Sequence, residues 1–109
     1  MYGYVTRANI DRYLNVLYST DLTSHERQTV TRLLLGEFDK LRHDPAQLEF
    51  VETRAANGRE RVNHARRLRE SYALGTIERE ESDRLLVDVE SLQSLLDAFI
   101  VACTSSRGI

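Results

Sequence analysis

Residues 85–103 read LLVDVESLQSLLDAFIVAC, and their apolar side chains recur in alternating steps of four and three. This spacing is the heptad pattern of a helix that packs along another helix. The heptad positions are Leu85, Val89, Leu92, Leu96, Phe99 and Cys103. Thr76 is a suitable N-cap for this segment, and three glutamates in its first turns complement the positive end of the helix dipole. We therefore predict a long helix over about 77–103.

Two segments near the N-terminus also carry helical spacing. An apolar face after Thr6 predicts a helix over about 7–19, with Thr6 as its cap. Thr23 followed by Glu26 three residues later is a capping-box pattern, which predicts a helix over about 24–42. The predicted buried positions are Ile10, Tyr13, Leu14, Leu17 and Tyr18 in the first helix, and Val30, Leu33, Leu34, Phe38 and Leu41 in the second.

The third helix has the clearest start signal, Asp44-Pro45-Ala46-Gln47, in which aspartate caps and proline occupies the first helical position. Its apolar positions predict a helix over about 45–74 that ends at Gly75. The internal Asn57-Gly58 pair allows either a break or a continuous helix that a neighbour approaches closely. We favour the continuous helix because Gly58 falls on the apolar seam with Val51 and Ala55.

These segments predict an all-α fold of four antiparallel helices in a single domain, residues 1–109. A short N-terminal pair packs on a long, coiled-coil-like C-terminal hairpin. The return at Gly75 pairs residues whose numbers sum to about 151. Opposite charges support the pairing, since residues 45–76 contain six arginines and four acids, whereas residues 77–109 contain seven acids and three arginines.

The unequal helix lengths predict an interaction surface. A short pair cannot cover the whole of a long hairpin, so residues 64–87 are expected to project. The apolar residues left for a partner are Ala65, Leu68, Tyr72, Leu85 and Leu86. A second copy of the chain is the simplest partner, because symmetric dimers are the commonest oligomers. We expect a homodimer, with an unidentified protein as a further possible partner.

Composition and spacing weigh against several classes of function. The net charge of -2 is unlike that of a globally basic nucleic-acid binder. The single cysteine and the spacing of the three histidines predict no metal site, and we expect no cofactor and no enzymatic activity. The longest apolar run, Ala98 to Cys103, is too short to span a membrane, and no secretory signal is visible, so we expect a cytoplasmic protein.

The N-terminal part of the chain resembles short bacterial all-helical proteins of unassigned function. The resemblance lies in Asn9-Ile10-Asp11-Arg12-Tyr13, Arg32-Leu33-Leu34 and Asp39-Lys40-Leu41, and it covers about the first 41 residues. It implies helical structure and a regulatory or accessory role. It brings no functional residues with it. The leading interpretation is a small non-enzymatic interaction protein.

Two histidines support an alternative function. His64 has Arg67 three positions later, which resembles histidine-phosphotransfer domains, although Leu68 stands where that family has glycine. Ser24-His25-Glu26-Arg27 resembles the phospho-acceptor box of sensor histidine kinases but lacks its leucine and proline. The alternative is therefore a phosphorelay component that uses His64, or His25, as the phospho-acceptor.

Overall fold

A computed structural model describes residues 2–19, 22–42 and 44–107. The described part of the chain is helical, with a 3₁₀ turn at Pro45–Gln47 between the second and third α-helices. The four α-helices are α1 (Tyr2–Leu17), α2 (Ser24–Leu41), α3 (Leu48–Glu70) and α4 (Ile77–Arg107). The predicted all-α class is confirmed: α1 packs with α2, and α3 packs with α4.

The chain forms two compact units, residues 1–50 and 51–109. The first contains α1 and α2, which run antiparallel and bury apolar side chains from both helices. The spacing of these side chains along each helix produces one largely apolar face. The buried apolar residues are Ile10, Leu14 and Leu17 in α1, and Leu34, Phe38 and Leu41 in α2.

Polar contacts fix how α1 and α2 align. Asn9 Nδ2 donates to the carboxylate of the buried Glu37 at 3.2 Å, and Lys40 Nζ donates to the same oxygen at 3.1 Å. Arg27 donates to the Leu17 carbonyl at 3.0 Å. This last contact places a positive charge at the C-terminal end of α1, where the helix dipole favours it.

Three features of the first unit correct the sequence prediction. α1 begins at Tyr2 rather than near residue 7. Thr6 is therefore buried within the helix, on the same face as Ile10, and is not its N-cap. Leu33 is 49% exposed because it lies about a quarter turn from the face centred on Leu34 and Leu41, where Glu37 is buried instead.

The capping box at the start of α2 is confirmed. The Glu26 N–H donates to Thr23 Oγ1 at 3.1 Å, and the Thr23 N–H donates to Glu26 Oε1 at 3.0 Å. The bond from the Thr23 backbone, followed by the one with its side chain, lowers the pKa of the Glu26 carboxyl. The box satisfies two backbone donors that the first turn of a helix leaves without intrahelical partners.

The second unit contains the α3–α4 hairpin. α3 is continuous through Asn57-Gly58, as favoured from the sequence, and Gly58 is buried. Gln93 of α4 reaches the α3 backbone, since its Nε2 donates to the Ala55 carbonyl at 3.0 Å. The seam also buries Val51, Val62 and Ala65 of α3, and Leu86, Val89, Leu92, Leu96 and Cys103 of α4.

The hairpin has the predicted register and charge pairing. Tyr72 contacts Arg79, and Ala55 contacts Gln93; the residue numbers of these pairs sum to 151 and 148. Ion pairs then join α3 arginines to α4 acids: Arg59 to Asp97 at 3.2 Å, Arg66 to Glu90 at 3.5 Å and Arg69 to Asp83 at 3.6 Å. Because these side chains are partly exposed, each pair contributes only about 0–1 kcal/mol.

The hairpin helices differ from the predicted bounds at three ends. The Asp44 cap is present, since the Ala46 N–H donates to Asp44 Oδ1 at 3.1 Å, but the next residues form a 3₁₀ turn and α3 begins at Leu48. α3 ends at Glu70 rather than 74, where Ser71 Oγ donates to the Leu68 carbonyl at 2.6 Å. This bond competes with continuation of the backbone pattern. α4 continues to Arg107 rather than ending near 103.

Candidate interaction surface at the hairpin end

The five predicted partner-facing residues separate into two groups. Ala65 and Leu86 are buried in the seam between α3 and α4. Leu68, Tyr72 and Leu85 are half-buried and keep part of their side chains on the surface. A partner at this end of the hairpin would therefore contact the second group, with Ala65 and Leu86 supporting it from beneath.

Leu68 and Leu85 lie on one side of the hairpin. Successive residues of an α-helix are about 100° apart. This places Leu68 on the flank of α3 opposite Arg66, which pairs with Glu90 of α4. Leu85 lies on the matching flank of α4, opposite Glu90 and one turn from the exposed Glu81. The half-buried Tyr72 follows the end of α3.

The turn between α3 and α4 and the first residue of α4 add two aliphatic side chains that the sequence analysis did not select. Leu74 is 82% exposed and Ile77 is 69% exposed. Both lie within residues 64–87, the segment expected to project, and their apolar character was the available signal. We refer to Leu68, Tyr72, Leu74, Ile77 and Leu85 together as the hairpin-end surface.

The turn that carries Leu74 and leads into Ile77 is held by specific bonds. Gly75 has φ +84°, a left-handed conformation that glycine adopts at little cost. Thr76 is the N-cap predicted for α4, because its Oγ1 accepts from the Arg79 N–H at 3.2 Å. The Arg79 guanidinium donates to the Tyr72 carbonyl at 3.1 Å, which ties the two sides of the turn together.

Charges of both signs surround the hairpin-end surface. Asp83 of α4 lies 3.6 Å from Arg69 and 3.7 Å from Arg79, so two guanidinium groups share one carboxylate. The first turns of α4 expose Glu78, Glu80 and Glu81 together with Arg84. The facing end of α3 exposes Arg67 and Glu70.

The structure places both candidate phospho-acceptors on the surface. His64 is exposed on α3, and its imidazole makes no hydrogen bond or ion pair with any described residue. Arg67 is exposed one turn further along, and Leu68 is half-buried at the position where phosphotransfer domains have glycine. His25 is exposed in the first turn of α2, one residue after the helix begins.

No three His, Cys, Asp or Glu side chains within the described ranges are grouped as ligands of a metal ion would be. None of the described helices has an apolar stretch of the length and composition that crossing a bilayer requires.

Comparison with family models, with curated proteins and with solved structures found no match to this chain. The resemblance of the first 41 residues to short bacterial helical proteins therefore stays a prediction.

Proposed function

We propose that this chain is a small, non-enzymatic helical interaction protein that forms a homodimer through the hairpin-end surface. The observation that carries the proposal is the exposure of Leu74 in the turn and of Ile77 at the start of α4, two aliphatic side chains in contact with water. The half-buried Leu68, Tyr72 and Leu85 belong to the same end of the hairpin. Contiguous exposed apolar residues with polar edges are typical of protein-binding sites.

The expected free energies of burial and association indicate that the whole hairpin-end surface must contribute to the dimer. Burying one Leu or Ile side chain contributes about 1.5–3 kcal/mol. A two-fold dimer uses every contact twice, so Leu74 and Ile77 together provide about 6–12 kcal/mol before the costs of association. Those costs are of the order of 4–15 kcal/mol, while micromolar affinity needs about 8 kcal/mol net. Leu68, Tyr72 and Leu85 supply the remaining contacts.

A second copy of the chain is the simplest occupant, because a two-fold dimer covers the same apolar residues on both copies and symmetric dimers are the commonest oligomers. The cytoplasm is the compartment we propose for this protein.

The test is the oligomeric state at micromolar concentration, measured by light scattering and sedimentation velocity. We expect a dimer for the wild type and a monomer for Leu74→Glu combined with Ile77→Glu. Val101→Glu is the matched control, because Val101 is 63% exposed on the same helix but far from the turn. This control is expected to stay dimeric. A monomeric wild type, or a double variant that still forms the dimer, contradicts the proposal.

The exposure of His64 favours a second candidate function, a histidine-phosphotransfer role. An imidazole with no competing hydrogen bond can accept a phosphoryl group, and the neighbouring Arg67 can stabilise its charge. The test is incorporation of acid-labile phosphate from a phosphorylated receiver domain. Phosphorylation that His64→Gln abolishes and His25→Gln leaves intact supports this function; equal labelling of the wild type and His64→Gln rules out His64.

A further inference from the structure

We propose that Asn57 of α3 is a site of spontaneous deamidation whose rate is set by the opening of α3. The reaction needs no enzyme and no cofactor. The backbone nitrogen of Gly58 attacks the Asn57 side-chain carbonyl carbon, the new C–N bond closes a succinimide, and ammonia leaves. Water then opens the ring and produces either aspartate or isoaspartate at position 57. The proposal is independent of whether the protein dimerises.

Asn57-Gly58 is a chemically reactive pair that lies within α3, and the helix restrains its reaction. Glycine offers the least steric hindrance to the attacking nitrogen, so Asn-Gly is the asparagine pair most prone to this reaction. Asn57 is exposed, and water therefore reaches its side chain. Within α3, however, the Gly58 N–H belongs to the helical pattern and donates to the carbonyl of Arg54, four residues earlier.

The native helix blocks the reaction in two ways. The Gly58 nitrogen is committed to its helical hydrogen bond, and it cannot swing toward the side chain of Asn57 while ψ stays near the helical value. Gly58 is also buried against the α4 side of the seam, next to the contact between Ala55 and Gln93. Cyclisation therefore requires α3 to separate locally from α4, an opening that proteins undergo with a defined free energy.

The product would oppose reclosure of the hairpin. Isoaspartate inserts an additional methylene group into the backbone immediately before a buried glycine, so the helical hydrogen bonds on its two sides no longer align. The Asn57→Asp variant adds the same charge without the extra methylene. Because position 57 is exposed, Asn57→Asp should have the same urea midpoint of unfolding as the wild type. The isoaspartate product should have a lower midpoint.

The main experiment measures deamidation at Asn57 by peptide mapping and mass spectrometry of the full chain at mildly alkaline pH. The rate in native buffer should equal the rate in strong urea multiplied by the open fraction, provided that reclosure outpaces the chemistry. Val62→Ala, which removes two buried methyl groups one turn from Gly58, should raise the native rate by about tenfold or more. Val101→Ala makes the same change at an exposed position and should leave the rate unchanged.

Three outcomes overturn the proposal: a native rate equal to the rate in urea, no acceleration in Val62→Ala, or no reaction at Asn57 even in the unfolded chain. Should Val62→Ala fail to fold, the wild-type rate in urea below the unfolding transition decides instead. A rate that rises with urea in proportion to the open fraction supports the proposal, and a rate independent of urea rejects it.

Discussion

Replacement of Leu96 by alanine tests the α3–α4 seam directly. Leu96 is 0% exposed and occupies a heptad position of α4, one turn from the Gln93 side chain that reaches the α3 backbone. Alanine keeps the helix intact, because it has the highest helix propensity. The substitution therefore changes packing in the seam and leaves the secondary structure of α4 unaffected.

The burial of Leu96 determines how much stability its replacement by alanine is expected to remove. Truncation of a core leucine to alanine costs about 2–5 kcal/mol, and the cost is larger where the surroundings cannot collapse into the cavity. Leu96 is fully enclosed, so we expect about 3–5 kcal/mol. A domain of this size has a free energy of unfolding of about 5–15 kcal/mol. One substitution should therefore remove a large part of the stability.

The assay is urea unfolding followed by far-UV circular dichroism, with the free energy taken from the midpoint and the slope of the transition. Val101→Ala is the control on the same helix, and at 63% exposure it should change the stability by no more than about 0.5 kcal/mol. A loss below about 1 kcal/mol for Leu96→Ala would refute the packing described for the seam. Equal losses for the two variants would refute it as well.

Four further predictions concern the helix ends and two glycines. Thr23→Ala removes the capping box of α2 and should cost about 1 kcal/mol in urea unfolding, whereas Thr23→Ser should retain most of it; identical midpoints for all three proteins would contradict the cap. The lowered pKa of Glu26 means that its stabilisation is present above the ordinary glutamate pKa and disappears as the pH falls through the lowered value. The wild type should thus have a larger free energy of unfolding than Glu26→Gln at neutral pH, and the two values should converge in acid. A difference that grows in acid would contradict the direction of the pKa shift. Gly75→Ala should destabilise by about 1–2 kcal/mol, because alanine at φ +84° is strained although no atom lies within 4 Å of its Cβ. Gly36→Ala, within α2 and equally unobstructed, should instead stabilise by about 0.5–1 kcal/mol, so calorimetry that finds the same sign for both glycines rejects this account.

The N-cap motifs of the helices could be recognised from the sequence alone. The Thr23 box, the Asp44 cap and the Thr76 cap each join residues two or three positions apart, so the local sequence contains both partners. The heptad spacing of α4 and the continuity of α3 through Gly58 follow from the same regularity, since a helix repeats its faces every three or four residues.

The candidate surface was only partly predictable. Leu68, Tyr72 and Leu85 were selected by their apolar character and position, but the placement of Leu68 and Leu85 on the side opposite Arg66 and Glu90 depends on which flanks the ion pairs occupy. Ala65 and Leu86 are also apolar and lie in the same segment of the chain, yet each is buried in the seam between α3 and α4. Exposure depends on neighbours that are remote in sequence.

Local patterns in the chain were sufficient for helix type, approximate helix length and the antiparallel return at Gly75, because those depend on interactions within about four residues. Tertiary structure alone decided that Leu33 is exposed while Glu37 is buried, and that Gln93 donates to the Ala55 carbonyl across 38 positions of chain. The physical reason is that burial and buried hydrogen bonds are satisfied by whichever atoms the opposing helix brings near, and a one-dimensional pattern does not contain those distances.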